Sequence, residues 1–324
     1  MSESDSSKSF ISGLCNDIAG IRKFSHAAMA TTFEIFTVHE DNLYAQQAAQ
    51  AAFDEADRLE KEFSRFIENS DISQIGNLTA HETLRLGLDS FRCLSLCAKV
   101  CRETGGAFDV TVGALMNCWF DKDRNLRHPS KEELESARRR TGCGIFKLDE
   151  EQISIEVMAD RIQIDLGAVG KGYAVDKIGE SLRDWDVATA LISGGDSSVL
   201  ALDGPEKLRG WPVALSGPDN RVLAKLYLRN RSVSGSGIQR RKHIINPHTG
   251  QPVVDKLAAW SCAADAATAD ALSTAFMVMK QQDIEQYCLH HADSGAMILP
   301  AGNKKPVLYG NWQGLFGDSA PDGV

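Results

Sequence analysis

The stretch Asp165-Leu-Gly-Ala-Val-Gly-Lys-Gly-Tyr-Ala-Val-Asp176 places three glycines and one lysine where a strand is expected to lead into a helix. The preceding run Arg161-Ile-Gln-Ile164 alternates as a strand does, and residues 173–183 follow helical spacing. Glycine at such a turn lets a ligand approach the backbone, and the N–H groups at the start of a helix attract anions. Because Lys171 adds a positive charge suited to a phosphate group, the stretch indicates a site for a phosphate-bearing cofactor.

The glycine spacing in this stretch fits neither of two common nucleotide-binding motifs. Gly167, Gly170 and Gly172 do not occupy the first, third and sixth places of the dinucleotide fingerprint. Lys171 is not followed by Ser or Thr, as it would be in a Walker motif. A tight connection between packed elements would require similar glycines, so both interpretations remain open for the stretch on its own.

The rest of the chain predicts an α+β fold with mixed, largely antiparallel sheets and packed helices. Helical patterns cover residues 41–66, 70–75, 83–103, 114–120, 131–142, 265–280 and 284–291. Strand patterns cover residues 24–38, 187–192, 197–202, 211–216, 222–228, 233–237, 258–263, 295–299 and 307–308, with two or three short strands over 145–164. These elements do not alternate regularly, which favours antiparallel sheets. We expect one domain over residues 24–315, as a single unit or two interlocked subdomains, between flexible segments at 1–23 and 316–324.

Composition narrows the class of function. The chain has 324 residues, 43% of them hydrophobic and 24% charged, as is usual for a globular protein. Its formal net charge of −9 argues against a nucleic-acid partner. We expect no membrane span, because no apolar run approaches the about 20 residues that a bilayer requires. The polar N-terminal residues lack the apolar centre of a signal peptide, so the expected location is the cytoplasm.

The cysteines do not suggest a metal cluster. Cys93, Cys97 and Cys101 recur every four residues and therefore line one face of a predicted helix. The chain lacks the Cys-x-x-Cys pairs that are typical of such clusters. We expect these three residues to be buried thiols that pack as small hydrophobic groups.

A candidate cation site lies in the segment Ala269-Asp-Ala-Leu-Ser-Thr-Ala275. Asp270 and Thr274 are four residues apart and project from one face of a predicted helix. A carboxylate and a hydroxyl placed in this way can share a hard cation such as Mg²⁺. Alternatively, Asp270 could interact with the helix dipole, while Thr274 bonds to a backbone carbonyl.

A basic and histidine-containing segment precedes that helix. His243 opens the run His243-Ile-Ile-Asn-Pro-His-Thr-Gly250 and directly follows the basic cluster Arg240-Arg241-Lys242. It could act as a general base or donate a hydrogen bond to a phosphate. His248 lies in a turn by composition and suits a surface or structural position.

Two further glycine pairs are compatible with a ligand. Gly194 and Gly195 end a predicted buried strand, where they permit close backbone approach or simply form a tight turn. In Gly105-Gly-Ala-Phe-Asp-Val-Thr-Val-Gly113, an aromatic residue and a carboxylate follow two glycines. This segment could wrap a planar ring, or it could be an ordinary loop.

Taken in order, these motifs resemble the ApbE family of magnesium-dependent FAD:protein FMN transferases. The resemblance runs from about Ala28 to Pro300, nearly the whole of the predicted domain. It is carried by Met29-Ala-Thr-Thr-Phe33, Phe63-Ser-Arg-Phe-Ile-Glu-Asn-Ser70, Gly106 to Gly113 with Trp119, Asp165 to Asp176, Ser193 to Asp196, Ser234-Gly235, His243 to Gly250 and Ala269 to Ala275.

The resemblance implies a T-fold-related α+β architecture and a transferase activity. Family members cleave FAD and attach FMN through a phosphoester to Ser or Thr of a target flavoprotein, with release of AMP. We interpret Asp270, Lys171 and His243 as the catalytic groups, the last as the base that deprotonates the acceptor hydroxyl. Hydrolysis of FAD to FMN and AMP, or flavin binding without turnover, remain alternatives at this stage.

The resemblance also implies the ligand contacts. Mg²⁺ would be held by Asp270, Thr274 and the main-chain carbonyl of Ala168. FAD would be bound by Met29, Phe66, Ala107, Phe108, Asp109, Asp165, Lys171, Gly194, Gly195, His243 and Ile244. Phe66 stands where the family usually has Tyr, which removes a hydroxyl from this chain's site.

Overall fold

The computed structural model describes residues 11–15, 18–121, 125–238, 244–303, 305–312 and 314–316. The first half of the chain forms β1 (Ile11–Gly13), β2 (Ile21–Ala28), β3 (Thr31–Val38), α1 (Asn42–Phe63), α2 (Asp71–Ile75), β4 (Thr83–Arg85), α3 (Leu88–Glu103), a 3₁₀ turn (Val110–Val112), α4 (Gly113–Trp119), α5 (Lys131–Arg138), β5 (Phe146–Asp149) and β6 (Ser154–Val157). The second half forms α6 (Gly170–Asp184), β7 (Ala190–Gly194), β8 (Ser198–Ala201), β9 (Trp211–Ser216), β10 (Val222–Leu228), β11 (Arg231–Gly237), β12 (Ile245–Asn246), β13 (Gln251–Pro252), β14 (Lys256–Ala263), α7 (Ala266–Val278), α8 (Gln281–His290), β15 (Gly295–Pro300) and β16 (Val307–Gly310).

The largest sheet has eight strands in the order β16-β15-β14-β11-β8-β7-β3-β2, and every pairing is antiparallel. Successive side chains on a strand point to opposite faces. Phe33 and Ile35 of β3 therefore join the core beneath α1, α6 and α7, whereas Phe36 joins the core on the other side. The predicted α+β class with antiparallel sheets is confirmed.

The face of the large sheet opposite the helices is covered by a three-stranded sheet in the order β1-β9-β10. The two sheets enclose a second hydrophobic core, in which Trp211 of β9 and Trp260 of β14 are fully buried. A further small sheet, β4-β6-β5, lies outside this sandwich. None of the helices in the described ranges has the length and apolar character needed to cross a bilayer.

The interpretation of residues 24–38 as one strand is wrong. The segment is a hairpin, in which β2 pairs with β3 through a two-residue turn at Met29 and Ala30. Both turn residues have positive φ, at 51° and 56°, which is the geometry that matches the twist of antiparallel strands. The sequence signal for such a turn is Gly or Asn, and this turn has neither.

The predicted helix over 83–103 begins too early. Thr83–Arg85 is strand β4, and α3 starts at Leu88. Gly87 has an extended conformation, with φ −64° and ψ 153°, and its N–H donates to Asp71 Oδ2 at 2.8 Å. The helix therefore begins only after this glycine.

The predicted strand over 161–164 is also wrong. Ile162 and Ile164 are buried as the alternation predicts, but the segment belongs to no sheet. Its backbone bonds to the 3₁₀ turn instead: Gly113 N–H donates to the Gln163 carbonyl at 3.1 Å, and Asp165 N–H donates to the Val110 carbonyl at 2.7 Å.

The predicted flexible segment at 1–23 overlaps ordered structure. β1 pairs with β9 through Ile11 and Leu215, and β2 begins at Ile21. Phe316 forms an isolated bridge with Leu226, and residues 317–324 lie outside the described ranges. Ordered strands therefore begin no later than Ile11. The extent of the single domain stays a prediction.

The cysteine prediction holds for two of its three residues. Cys93 and Cys97 are buried free thiols within the hydrophobic core. Cys101 instead forms a disulfide with Cys143, 42 residues further along the chain. The four-residue spacing places Cys101 on the same helix face as the other two cysteines, but it does not predict a disulfide partner in a distant loop.

Candidate functional site

The segment that enters α6 is closed by an Asx turn. Asp165 Oδ1 accepts a hydrogen bond from the Gly167 N–H at 2.7 Å. α6 then begins at Gly170, and Lys171 Nζ folds back to donate to the Gly167 carbonyl at 3.1 Å. The lysine side chain keeps 25% of its surface exposed. The start of α6 therefore presents an accessible ammonium group that could meet a phosphate.

Asp270 of α7 is buried against this helix start, with only 3% of its side chain exposed. Its Oδ2 accepts a hydrogen bond from the Gly172 N–H at 3.1 Å and lies 3.7 Å from Lys171 Nζ. No residue of the described ranges donates a hydrogen bond to Oδ1. The structure thus brings together the predicted metal ligand and the predicted phosphate lysine, and it leaves one carboxylate oxygen for another ligand.

Gly172 is required by the contact between α6 and α7. A Cβ at this position would lie 2.7 Å from the Ala266 carbonyl carbon and 2.8 Å from Asp270 Cβ, closer than real contacts allow. The open question about these glycines is therefore answered for Gly172: it permits the close approach of two helices. The same approach places the Asp270 carboxylate at the start of α6.

The Ala168 carbonyl lies just before Val169, the N-cap residue of α6. The Gly172 N–H is one of the N-terminal donors that lack a partner within a helix, and it donates to Asp270. Among the backbone hydrogen bonds of the described residues, none ends on the Ala168 carbonyl. This oxygen is therefore available to a cation, as the family resemblance implies.

Other carboxylates cap α7, so Asp270 is not needed for that role. Asp265 is the N-cap and accepts from the Thr268 N–H at 2.7 Å. Asp176 accepts from the N–H groups of Ala266 and Ala267 at 2.7 and 2.8 Å. Burial, together with the nearby charge of Asp265, raises the pKa of Asp176 to about 7. The N–H groups at the start of α7 are thus hydrogen-bonded one turn before Asp270. This disfavours the alternative in which Asp270 serves only to interact with the helix dipole.

Thr274 joins a network of hydroxyl groups. Its Oγ1 lies 3.0 Å from Ser236 Oγ of β11, which lies 2.8 Å from Ser273 Oγ. Ser273 in turn donates to the Asp270 carbonyl at 2.8 Å. The alternative in which Thr274 bonds to a backbone carbonyl is not what the structure shows.

These donors suit a hard cation. The set comprises the Asp270 carboxylate, the Thr274 hydroxyl and the Ala168 carbonyl, all oxygen ligands of the kind that Mg²⁺ accepts alongside water or phosphate. The described residues contain no group of three or more His, Cys, Asp or Glu that could hold a metal. Thiolate and imidazole, which softer metals favour, are not among these three donors.

The loop from Gly106 to Thr111 presents its backbone and buries its side chains. Gly106 has φ 84°, and a Cβ there would lie 3.2 Å from His248 Cε1. Phe108 is only 1% exposed, within the main core. Asp109 accepts from the Thr111 N–H at 2.8 Å and from its hydroxyl at 2.7 Å, and burial raises the pKa of Asp109. The Phe108 ring is therefore a core group, and a ligand would meet this loop through its main chain.

An exposed aromatic and an ion pair flank the site. Phe66 is 77% exposed, and the Arg65 guanidinium lies 5.0 Å from the centre of its ring. Arg65 Nη1 also lies 2.9 Å from Asp165 Oδ2. Both oxygens of Asp165 are thus engaged by the protein, one by Gly167 and the other by Arg65. Sequence reasoning missed Arg65, although it directly precedes Phe66 in the family-like segment Phe63 to Ser70.

The remaining predicted residues have structural roles of their own. Met29 forms the β2–β3 turn, and Ile244 and Ala107 are buried. A Cβ on Gly194 would lie 2.7 Å from Val175 Cγ2 of α6, and Gly195 has φ 63°. These observations account for both glycines without a ligand. His243 lies outside the described residues.

The fold and the candidate site together define an α+β protein with a carboxylate–lysine centre at a helix junction. The family model described as the ApbE family matches residues 29–298. The chain belongs to the ApbE family, and the resemblance found in its sequence is confirmed.

Individual relatives are distant but extensive matches. The chain is 24% identical over 275 residues to the FAD:protein FMN transferase of Buchnera aphidicola subsp. Schizaphis graminum, with 79% of each chain covered. It is 24% identical over 290 residues to the FAD:protein FMN transferase of Haemophilus influenzae, with 82% of each chain covered. The crystal structure of the ApbE protein from Thermotoga maritima superposes with a TM-score of 0.80 at 26% identity, covering 90% of this chain and 97% of that one.

Proposed function

We propose that this protein is a Mg²⁺-dependent FAD:protein FMN transferase. It cleaves the pyrophosphate of FAD and attaches FMN through a phosphoester to a Ser or Thr hydroxyl of a target flavoprotein, with release of AMP. The relatives named for this reaction support the proposal. The observation that carries it is the junction at which buried Asp270 meets both Lys171 and the start of α6.

Asp270, Thr274 and the Ala168 carbonyl would hold the cation. When bound there, Mg²⁺ supplies neutralisation of the charge that develops on the pyrophosphate oxygens. Lys171 supplies a second positive charge, and its exposed ammonium is close enough to Asp270 to act on the same phosphate. Phosphoryl transfer depends mainly on such positioning and charge neutralisation, and these residues provide both.

FAD would lie across the groups around this junction. Exposed Phe66 offers an aromatic face, and the backbone of Ala107, Phe108 and Asp109 offers main-chain contacts. We also assign FAD contacts to Met29, Asp165, Gly194, Gly195, His243 and Ile244, as the family resemblance implies. Arg65 fixes the Asp165 carboxylate and so shapes the same wall of the site.

In the transfer step, each bond that forms is balanced by a bond that breaks. The acceptor hydroxyl oxygen bonds to the phosphorus of the FMN half, the bond from that phosphorus to the bridging oxygen breaks, and AMP leaves. We assign the hydroxyl proton to His243 as the general base. If His243→Ala transfers FMN at the rate of the unaltered protein, this assignment is wrong.

The proposal is tested by supplying FAD, Mg²⁺ and a co-expressed candidate acceptor, followed by AMP quantification and mass spectrometry of the acceptor. AMP together with an acceptor that gains FMN is the expected result. AMP with free FMN and an unmodified acceptor would instead indicate FAD hydrolysis. Absence of AMP would indicate a flavin-binding protein without turnover.

We further propose that the protein acts in the cytoplasm, where thiols are kept reduced. Six of its eight cysteines are free and buried. The Cys101–Cys143 bond is instead typical of oxidising compartments. Cell fractionation combined with thiol labelling tests this location. We expect to recover the protein in the cytoplasmic fraction, and recovery from an exported fraction would contradict the proposal.

A further inference from the structure

Ser236 lies at the centre of a hydroxyl chain that neither the sequence motifs nor the family match assigns to a function. Its Oγ contacts Thr274 Oγ1 at 3.0 Å and Ser273 Oγ at 2.8 Å. Ser273 Oγ also contacts the Asp270 carbonyl at 2.8 Å. The chain thus runs from one candidate cation ligand to the backbone of another.

The direction of each hydrogen bond follows from counting protons. A carbonyl only accepts, and each hydroxyl has one hydrogen to donate. Ser273 therefore gives its hydrogen to the Asp270 carbonyl and must accept from Ser236. Because Ser236 donates its one hydrogen to Ser273, the Ser236 oxygen must accept a hydrogen bond from Thr274. The order is fixed as Thr274 to Ser236 to Ser273 to the Asp270 carbonyl.

This order determines whether the Thr274 hydroxyl presents its hydrogen or its oxygen lone pairs to a cation. With its hydrogen directed to Ser236, the Thr274 oxygen has its lone pairs free for other partners. A metal ligand needs a lone pair, and a hydroxyl hydrogen turned toward a cation would repel it. Groups that orient a ligand in this way commonly set the affinity of a metal site.

We propose that Ser236 is a positioning residue, which with Ser273 orients the Thr274 hydroxyl so that its oxygen faces the cation. The inference rests on the proposed metal site and names residues that act on it without touching the metal. Ser236 suits this task because β11 is a central strand, paired to β14 at this level through Ala259. Its side chain is therefore held by a rigid element.

The chain offers a matched control on the same strand. Ser234 is fully buried two residues before Ser236, and its Oγ has no hydrogen-bond partner among the described residues. Ser234→Ala therefore removes a buried hydroxyl of the same type without touching the chain of hydrogen bonds. Ser273→Ala provides a second test, since it frees the Ser236 hydrogen to donate to Thr274, and the direction of the Ser236–Thr274 hydrogen bond is then no longer fixed.

The experiment is a Mn²⁺ titration of the full-length protein, in which electron paramagnetic resonance measures the concentration of the free ion. Thermal unfolding verifies that each variant is folded. Ser236→Ala should raise the Kd for Mn²⁺ about tenfold. Ser273→Ala should raise it in the same direction, and Ser234→Ala should leave it unchanged. Equal Kd values for Ser236→Ala and Ser234→Ala would overturn the inference, as would absence of Mn²⁺ binding by the unaltered protein.

Failure of this inference is distinguishable from failure of the proposed function. The unaltered protein is assayed in parallel for AMP release from FAD with Mg²⁺. If AMP and flavinylated acceptor form while Ser236→Ala binds Mn²⁺ normally, only the role of Ser236 is refuted. If no AMP forms, the transferase proposal fails whatever the titration shows.

Discussion

Asp270 Oδ2 accepts a hydrogen bond from the Gly172 N–H at 3.1 Å, across 98 residues of sequence. This contact joins the glycine-rich start of α6 to the cation-site helix α7. Lys171 Nζ lies 3.7 Å from the same carboxylate oxygen, and no backbone N–H of the described residues donates to the Ala168 carbonyl. The hydrogen bond therefore joins the carboxylate and the lysine in one charged centre at the start of α6.

Gly172→Ala should destabilise the protein. The added methyl would meet the Ala266 carbonyl and Asp270 Cβ, and overpacking of this kind costs about 1–3 kcal/mol. Urea unfolding measures the change. Gly144→Ala is the matched control, because a Cβ there meets nothing within 4 Å. Similar unfolding free energies for the two variants would refute the packing argument.

Stability should fall as pH rises toward neutrality because of Asp176. The folded protein holds this carboxyl proton with a pKa of about 7, against an ordinary value of 3.8. Between these values the folded state retains a proton that the unfolded chain has lost, so rising pH favours unfolding. One group contributes at most about 1.4 kcal/mol per pH unit.

The measurement for Asp176 is the free energy of unfolding between pH 4 and 7 for the unaltered protein and for Asp176→Asn. The amide does not titrate, so the variant should show a flatter curve over this window. Parallel curves would show that Asp176 is not the group responsible.

Loss of the Cys101–Cys143 disulfide should lower stability without abolishing the fold. The bond spans 42 residues, and constraining the unfolded chain over such a loop contributes about 2–4 kcal/mol. Cys101→Ser combined with Cys143→Ser should therefore unfold at lower urea concentration. A reductant should reproduce the shift in the unaltered protein and have no effect on the double variant; a shift in both would point to another cause.

The sequence predicted those parts of the site that depend on local spacing. Asp270 and Thr274 lie one helical turn apart on α7, and Lys171 lies in the first turn of α6, as the spacing predicted. Their assignment as ligands came from the family resemblance and stays a prediction. The strands β9 and β10 were also predicted with correct bounds, because β9 is a mostly apolar run and the buried residues of β10 alternate with more exposed ones.

Features that depend on distant partners could not be predicted. Ser236 reaches Thr274 from a strand 38 residues earlier, and no local pattern marks that contact. The Met29–Ala30 turn uses left-handed residues that are neither Gly nor Asn. Cys143 pairs with Cys101 only because tertiary folding brings a loop to the end of α3. Each of these is decided by packing rather than by sequence period.

Asp270→Asn tests the central claim most directly. The amide keeps the size of the side chain and can still accept from Gly172, but it removes the negative charge that would hold Mg²⁺. Loss of one such electrostatic group costs about 10²–10³ in rate. Asp265→Asn is the control, because Asn also caps a helix N-terminus and should retain activity.

The decisive measurement is the rate of AMP release from FAD with Mg²⁺ and an acceptor, together with Mn²⁺ affinity, for these two variants. We predict that Asp270→Asn loses at least about 100-fold in rate and binds Mn²⁺ more weakly, while Asp265→Asn behaves as the unaltered protein does. Full AMP release and unchanged Mn²⁺ affinity in Asp270→Asn would contradict this prediction.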